Sequence, residues 1–223
     1  MIRAVGFDLD NTLYDQRQHV FAFFAEAAAW LGGETGLEPS ALEGTFQEAW
    51  NTLGPSHPKL MDTVLARHGI LNPKRVQMLV RMYHHCGGSI SMHLYDGVKP
   101  LLERLRGRFP LFLITDGNAA MQRRKVSKLG IGPLFSVVVL TAEKGIGMSK
   151  PHPAPFLSAL EHFQFAPGEC LFAGDNPECD IAGAAGVGMH TVRVLTGPFH
   201  AQAAGAVEPD FTIGCISDVE RVL

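Results

Sequence analysis

The sequence opens MIRAVGFDLDNTLYD (residues 1–15), and within it an apolar, strand-like run ends in FDLDN (residues 7–11) with two aspartates, Asp8 and Asp10. Because side chains alternate along a strand, carboxylates two residues apart are placed on the same side, where their charges repel. Such a pair needs a positive partner, and the rest of the chain supplies candidates for it.

Five short apolar runs predict buried strands: AVGFDL (4–9), LFLIT (111–115), SVVVL (136–140), CLFAG (170–174) and HTVRV (190–194). Their continuous apolarity is typical of a sheet that is covered on both faces. Helix-like segments such as VKPLLERLRGRF and PAPFLSALEHF separate most of them. This alternation indicates an α/β fold with a Rossmann-like, doubly wound parallel sheet.

The segment from residue 15 to residue 93 differs from the rest of the chain. It contains helical patterns only, including QHVFAFFAEAAAWL and PKRVQMLVRMYHH, and it is far too long for a loop within one sheet. We therefore predict a catalytic core of residues 1–14 and 94–223, interrupted by an all-helical domain of residues 15–93.

The bulk properties restrict the class of protein. With 223 residues, 46% hydrophobic and 18% charged, the composition is that of an ordinary globular protein, and a net charge of −3 argues against nucleic-acid binding. The apolar run VFAFFAEAAAWL is interrupted by Glu26 and is shorter than the roughly 20 residues of a membrane span. The four cysteines form no CxxC pair, which favours free thiols in a reducing compartment. We expect a cytoplasmic protein with no targeting leader and no membrane contact.

Polar residues follow nearly every predicted strand, where an open parallel sheet places its site. Asp8 and Asp10 follow the first strand, Thr115 and Asp116 the second, and Asp175 and Asp180 the fourth; Lys150 follows the third at a distance. Four of these carboxylates at one edge, those of Asp8, Asp10, Asp175 and Asp180, would not all stay ionised unaided. Ligation by oxygen alone suits Mg²⁺, so we interpret the paired aspartates as part of a magnesium site with a lysine beside it.

The order of these motifs resembles that of the haloacid dehalogenase-like hydrolases. FDLDNT matches the family's first motif, hhDxDx(T/V); Thr115 in LFLITDGN matches the second, Lys150 in SKPHPAPF the third, and GDNPECD the fourth. A lone DxD is a weak signal, whereas four motifs in order, each after a strand, are a specific one. The helical insertion is similar to the family's type 1 cap, and the resemblance implies its phosphatase branch.

The resemblance also implies a role for each residue of the site. Asp8 is the nucleophile that forms an aspartyl-phosphate, and Asp10 is the general acid and base; an aspartate is already ionised at neutral pH and needs no activating base. Thr115 and Lys150 stabilise the transferred group. The phosphate contacts are assigned to Asn11, Thr115, Asp116, Gly117 and Lys150. The metal ligands are Asp8, Asp175 and the backbone carbonyl of Asp10, with Asp180 behind them, orienting metal-bound water or Lys150.

Simpler interpretations remain open for some of these residues. Lys144 follows the same strand as Lys150, although only Lys150 precedes the KPxP pattern. Asp180 could cap the helix that follows it, and Asp175 could be an ordinary turn residue.

We therefore predict a Mg²⁺-dependent phosphatase that hydrolyses a small phosphorylated metabolite, as a monomer or homodimer. A phosphosugar mutase is the alternative, since the core motifs do not separate the two; a dehalogenase or an inactive binding protein is less favoured because the full acidic set is present. Substrate choice should lie in the cap. Its aromatic residues could stack on a ring of the substrate or form the cap's own core, which we favour; they are Trp30, Phe46, Trp50 and Tyr83.

Overall fold

The computed structural model describes residues 1–55, 57–86, 90–203 and 205–223. The chain forms two compact units, one of residues 1–16 and 92–223 and the other of residues 17–91. The boundaries predicted from the sequence, at 14/15 and 93/94, lie two residues from these.

The first unit contains a parallel sheet. Its strands are β1 (Ala4–Phe7), β2 (Leu111–Thr115), β3 (Val137–Leu140), β4 (Cys170–Gly174), β5 (His190–Val194) and β6 (Phe211–Ile213), in the spatial order β3-β2-β1-β4-β5-β6. Every neighbouring pair is parallel. The predicted α/β class with a doubly wound parallel sheet is confirmed. The sequence analysis missed β6, an edge strand of three residues of which two are exposed.

The second unit is helical throughout its described residues. Its helices are α1 (Arg17–Thr35), α2 (Pro39–Leu53), α3 (Leu60–Arg67) and α4 (Pro73–His85). An aromatic cluster fills its interior, and the rings of Phe24 and Phe46 stack with centroids 5.1 Å apart. Phe46 and Trp50 are buried in this cluster, and Trp30 and Tyr83 pack against it. Phe46 and Trp50 therefore belong to the interior of the helical unit, and Trp30 and Tyr83 lie partly buried at its margin.

Helices of the first unit cover both faces of its sheet. They are α5 (Val98–Arg106), α6 (Ala119–Lys128), α7 (Pro153–Phe163) and the short α8 (Ala182–Gly186), which a π-helical turn, Pro177–Ile181, precedes. The packing is close enough to require glycine within β1, because a Cβ on Gly6 would lie 2.1 Å from the ring of Phe112. Burial of apolar side chains on both faces is the main stabilising term of such a layered fold.

The strand order fixes where a site can form. Chain order runs outward from β1 on both sides, to β2 and β3 on one side and to β4, β5 and β6 on the other. The crevice beyond the carboxyl ends of the strands at such a reversal point is the usual ligand site of an open α/β sheet. Within the described residues, no helix combines the length and apolarity that crossing a bilayer requires.

Candidate active site

The acidic residues after β1 and β4 leave the sheet at the same edge. The two strands are paired with Phe7 opposite Ala173, so Asp8 follows β1 at the level of Gly174, and Asp175 comes one residue further along the neighbouring strand. The backbone N–H of Asp8 donates to the carbonyl of Ala173 at 2.9 Å, which extends the strand pairing to the first residue of the site. Both aspartates are buried.

Asp180 reaches the same place from the π-helical turn. The side-chain oxygen of Asn176 accepts hydrogen bonds from the N–H groups of Glu178 and Cys179, and Asp180 Oδ2 accepts from the N–H of Asn176 at 3.0 Å. Asn176 is thus the capping residue of this turn, and α8 begins with no side-chain cap from Asp180. A Cβ on Gly174 would lie 2.4 Å from the Asp180 carboxyl, so only glycine at the end of β4 leaves room for it.

Lys150 connects two of these carboxylates. Its buried Nζ lies 2.5 Å from Asp8 Oδ1 and 2.7 Å from Asp180 Oδ1, and it also donates to the carbonyl of Ile114 at 3.2 Å. All three ammonium protons are thereby used. Lys144, the rival from the same segment, is exposed and donates to Ser158 Oγ at 2.6 Å. The structure therefore places Lys150 beside Asp8.

The Asp8 carboxylate is held at both oxygens. Lys150 donates to Oδ1 and the hydroxyl of Thr12 donates to Oδ2 at 3.1 Å. Burial raises the pKa of Asp8 to about 7 and the charges of Asp180 and Asp10 act in the same direction, although Lys150 opposes them. A positive charge added to the site would favour the ionised, nucleophilic form.

The acidic group formed by Asp8, Asp175 and Asp180 fits a cation. One carboxylate oxygen from each lies within 4.8 Å of the other two. Asp175 Oδ2 is buried and has no hydrogen-bond partner among the described residues. Burial, followed by the charges of Asp180 and Asp8, raises the pKa of Asp175 well above its ordinary value. A hard divalent cation would satisfy the orphaned oxygen and remove the repulsion.

The Asp10 carboxylate lies outside this group and has its own partners. Lys125 Nζ lies 2.6 Å from Oδ1, the hydroxyl of Tyr14 donates to the same oxygen, and Gln122 Nε2 donates to Oδ2 at 2.7 Å. Burial alone would raise the pKa of Asp10, but the charge of Lys125 and the hydrogen bonds from Lys125, Tyr14 and Gln122 outweigh it and lower the pKa.

The α6 residues that hold Asp10 were not predicted from the sequence. Gln122 and Lys125 are three residues apart on α6 and so share one face of the helix. This three-residue spacing was the one feature of the sequence that could have indicated that Gln122 and Lys125 act together. It was hidden because the segment QRRKVSK is polar at nearly every position, so no pattern separated its buried face from its exposed one.

Thr115 is the last residue of β2, and the turn after it carries two more of the predicted phosphate contacts, Asp116 and Gly117. Thr115 Oγ1 accepts a hydrogen bond from Gln122 Nε2, which leaves its own hydroxyl proton to donate elsewhere. The backbone of Gly117 has φ +111, a conformation that favours glycine. Asp116 Oδ1 accepts from the N–H of Lys150 at 3.1 Å, so this side chain positions the lysine segment.

The contacts of Asn11 do not support its predicted phosphate contact. Its backbone, at φ 63, donates through N–H to the carbonyl of Tyr14 at 2.9 Å. Its side-chain amide donates to Gln16 Oε1 and accepts from the N–H of Gln16, both at 3.2 Å. The hydroxyl of Thr196 donates to its carbonyl. These contacts show that Asn11 shapes the loop after β1; they use one of the two protons of its side-chain amide, and its phosphate contact stays a prediction.

Comparison with known proteins agrees with this geometry. The family model of haloacid dehalogenase-like hydrolases matches residues 2–188. A glyceraldehyde 3-phosphate phosphatase of Methanopyrus kandleri is 36% identical over 208 residues, which cover 89% of this chain and 86% of that protein. A phosphoglycolate phosphatase of Escherichia coli is 27% identical, over 98% of this chain and 91% of that one.

Among solved structures, a HAD phosphatase from Thermococcus onnurineus matches with a TM-score of 0.70 and 22% identity, over 99% of this chain and 97% of that chain. At this identity the structural match concerns the fold. The match of the family model spans the motifs after β1, β2, β3 and β4, and so includes every strand end that contributes to the site. The chain belongs to the haloacid dehalogenase-like hydrolase family.

Proposed function

We propose that this chain is a phosphatase that hydrolyses a small phosphate monoester through an aspartyl-phosphate on Asp8, with Mg²⁺ as its metal ion. The observation that carries the proposal is the pairing of a buried aspartate with a buried lysine beside an acidic group that fits a cation. Relatives that match most of the chain and are named phosphatases support the same activity.

The chemistry follows from the groups at hand. A carboxylate oxygen of Asp8 forms a bond to phosphorus while the bond from phosphorus to the ester oxygen breaks. Asp10, whose pKa is lowered by Lys125 and its hydrogen bonds, must first take up a proton, which it then gives to the departing alkoxide. Asp10 then takes a proton from water as the water oxygen attacks phosphorus. Cleavage of the acyl-phosphate bond releases inorganic phosphate and regenerates Asp8. Each bond that forms is matched by one that breaks.

Two further residues stabilise the charge on the transferred group. The transition state of phosphoryl transfer spreads negative charge over the equatorial oxygens. Lys150, fixed by three hydrogen bonds, keeps a positive charge beside Asp8 throughout. The Thr115 hydroxyl, whose oxygen already accepts from Gln122, has its proton free to donate to a phosphoryl oxygen.

The metal assignment rests on the donor set. Asp8 and Asp175 would hold Mg²⁺ together with the backbone carbonyl of Asp10, and Asp180 lies near enough to orient a bound water while it also holds Lys150. When bound, the ion supplies positive charge that favours the ionised form of Asp8 and draws the phosphate in. The proposed ligands are all oxygen atoms, whereas structural zinc sites are typically built from cysteine sulfur and histidine nitrogen atoms.

Hydrolysis is favoured over the alternatives that the motifs left open. The relatives reported above are named phosphatases, which supports transfer to water over the onward transfer of a phosphosugar mutase. The buried partners of Asp10 support a role for this second acid, which a dehalogenase would not need. We propose residues 17–91 as the cap that selects the substrate. The relatives' names place glyceraldehyde 3-phosphate and phosphoglycolate among the first candidates.

The test is release of inorganic phosphate from a panel of phosphate esters. It should include p-nitrophenyl phosphate, glyceraldehyde 3-phosphate, phosphoglycolate, a hexose phosphate, a nucleotide and flavin mononucleotide. We expect Mg²⁺-dependent release from at least one small ester, with loss on addition of EDTA. Asp8→Asn should be inactive, and Asp96→Asn, at an exposed position, should match the wild type. If no ester of the panel released inorganic phosphate with Mg²⁺ present, the proposal would be contradicted.

A further inference from the structure

The Asp10 carboxylate is held on both sides by side chains to which the proposed mechanism gives no role. Lys125 and Tyr14 donate to Oδ1, and Gln122 donates to Oδ2. Both oxygens of Asp10 thus accept hydrogen bonds, as expected for the ionised form of the residue that takes up and passes on the proton. A carboxylate held in this way has its rotation about the side-chain bond restricted.

Both α6 residues are deeply buried. The Lys125 residue is 2% exposed and the Gln122 residue 0%. Burying an ammonium group is costly unless it is paired, and Asp10 is the partner that lies 2.6 Å from it. For stability alone, apolar side chains of similar size would serve at least as well as this buried ion pair. The burial of a charged pair beside Asp8 therefore points to a demand of the site itself.

Gln122 also joins Asp10 to the phosphate-binding side. Its Nε2 carries two protons, one directed at Asp10 Oδ2 and the other at Thr115 Oγ1. A carboxylate can only accept, so the amide nitrogen must face Asp10. One rigid amide thereby fixes the distance between the proton-transferring carboxyl and the hydroxyl that we assign to the phosphoryl group.

We propose that Lys125 and Gln122 are positioning residues that act through Asp10. We call the pair the α6 clamp. It holds the Asp10 carboxyl in the orientation from which it passes its proton to the leaving group, and it ties this orientation to Thr115. The inference rests on the proposed function, in particular on Asp10 as the general acid. Small displacements of a reacting group lower the rate by large factors, so residues that fix the Asp10 carboxyl should have a large effect on kcat.

Two substrates with different leaving groups test the clamp. The p-nitrophenolate of p-nitrophenyl phosphate departs without a proton, whereas the alkoxide of an alkyl phosphate needs one. For Lys125→Met and Gln122→Met we expect kcat to fall about 100-fold on the best alkyl phosphate of the panel but less than about 10-fold on p-nitrophenyl phosphate. KM should change little on either substrate. Asp10→Asn should show the same dependence on the leaving group, more strongly.

Lys128→Met is the matched control, because it makes the same change at an exposed position three residues further along α6. It should leave both activities unchanged. Thermal unfolding of each variant checks folding. If Lys125→Met does not fold, Gln122→Met, which removes no charge, decides the question.

Equal losses of kcat on the two substrates, no loss on either, or a change confined to KM would overturn the clamp. A failure of the proposed function looks different. In that case the wild type would hydrolyse neither substrate, or Asp10→Asn would retain full activity on the alkyl phosphate, and the clamp, which depends on the role of Asp10, would fall with it.

Discussion

At the scale of single residues, the site depends on one buried cation shared by two carboxylates. Lys150 lies 2.5 Å from Asp8 and 2.7 Å from Asp180, and these contacts keep the pKa of Lys150 raised even though burial lowers it. Lys150 is thus one of the positive partners that the paired aspartates after the first strand require. It serves Asp8, while Asp10 has a lysine of its own in Lys125.

Removing the Lys150 charge should therefore be severe. We expect Lys150→Met to lower kcat by roughly 10² to 10³, the usual cost of losing one group that stabilises transition-state charge. Lys144→Met removes an exposed lysine of the same loop and should retain activity. Steady-state rates on p-nitrophenyl phosphate measure both. If the two variants lost the same factor, Lys150 would have no special role.

At the scale of elements, the sequence predicted those strands that correspond to short apolar runs. The strands β1 to β5 fall where such runs stand, and the ends of four of them mark the site. The residues of α6 that hold Asp10 escaped prediction because a helix that is polar almost all round gives no amphipathic pattern. The π-helical turn Pro177–Ile181 escaped because its signature is a hydrogen-bond geometry and not a composition.

Asn11 shows a different limit of sequence reasoning. A phosphate contact was predicted for it, and the structure shows that its backbone N–H and one side-chain amide proton are donated within the turn, to Tyr14 and Gln16. A polar side chain beside a nucleophile can serve the turn that presents it, and residue type alone does not separate the two uses.

The fit between β4 and the π-helical turn gives a prediction for these two elements. A methyl group at Gly174 would lie 2.4 Å from the Asp180 carboxyl and would displace it from Lys150. We expect Gly174→Ala to destabilise the protein by about 1–3 kcal/mol and to reduce activity. Chemical denaturation and initial rates measure the two effects. Gly214→Ala, which would meet no atom within 4 Å, is the control. A fully active and stable Gly174→Ala would contradict this account of the turn.

At the scale of the whole molecule, the buried carboxylates of the site repel one another, and a bound metal ion would reduce this repulsion. The raised pKa of Asp8, from 3.8 to about 7, means that the folded protein binds a proton there that the unfolded chain releases. The stability that this protonated group contributes is complete below about pH 4 and is lost as the pH rises through about 7. The raised pKa of Asp175 acts in the same direction.

Mg²⁺ should therefore stabilise the protein more at high pH. Its ligands must be deprotonated, so binding strengthens as the pH rises. We expect the difference in Tm between protein with Mg²⁺ and protein with EDTA to widen by several degrees between pH 5 and pH 8. Asp96→Asn should behave as the wild type, and Asp8→Asn should show a smaller widening. A difference in Tm that is constant or shrinks with pH would be evidence against a metal held by these carboxylates.

The central claim is that the phosphoryl group passes through Asp8, and the direct measurement is its covalent capture. Enzyme turning over its best substrate with Mg²⁺ is quenched in acid and digested with trypsin, and the peptide of residues 4–17 is sequenced by mass spectrometry. The account predicts one added phosphoryl group located at Asp8, with Asp8→Asn neither labelled nor active. Label on another residue, or turnover that survives in Asp8→Asn, would contradict it.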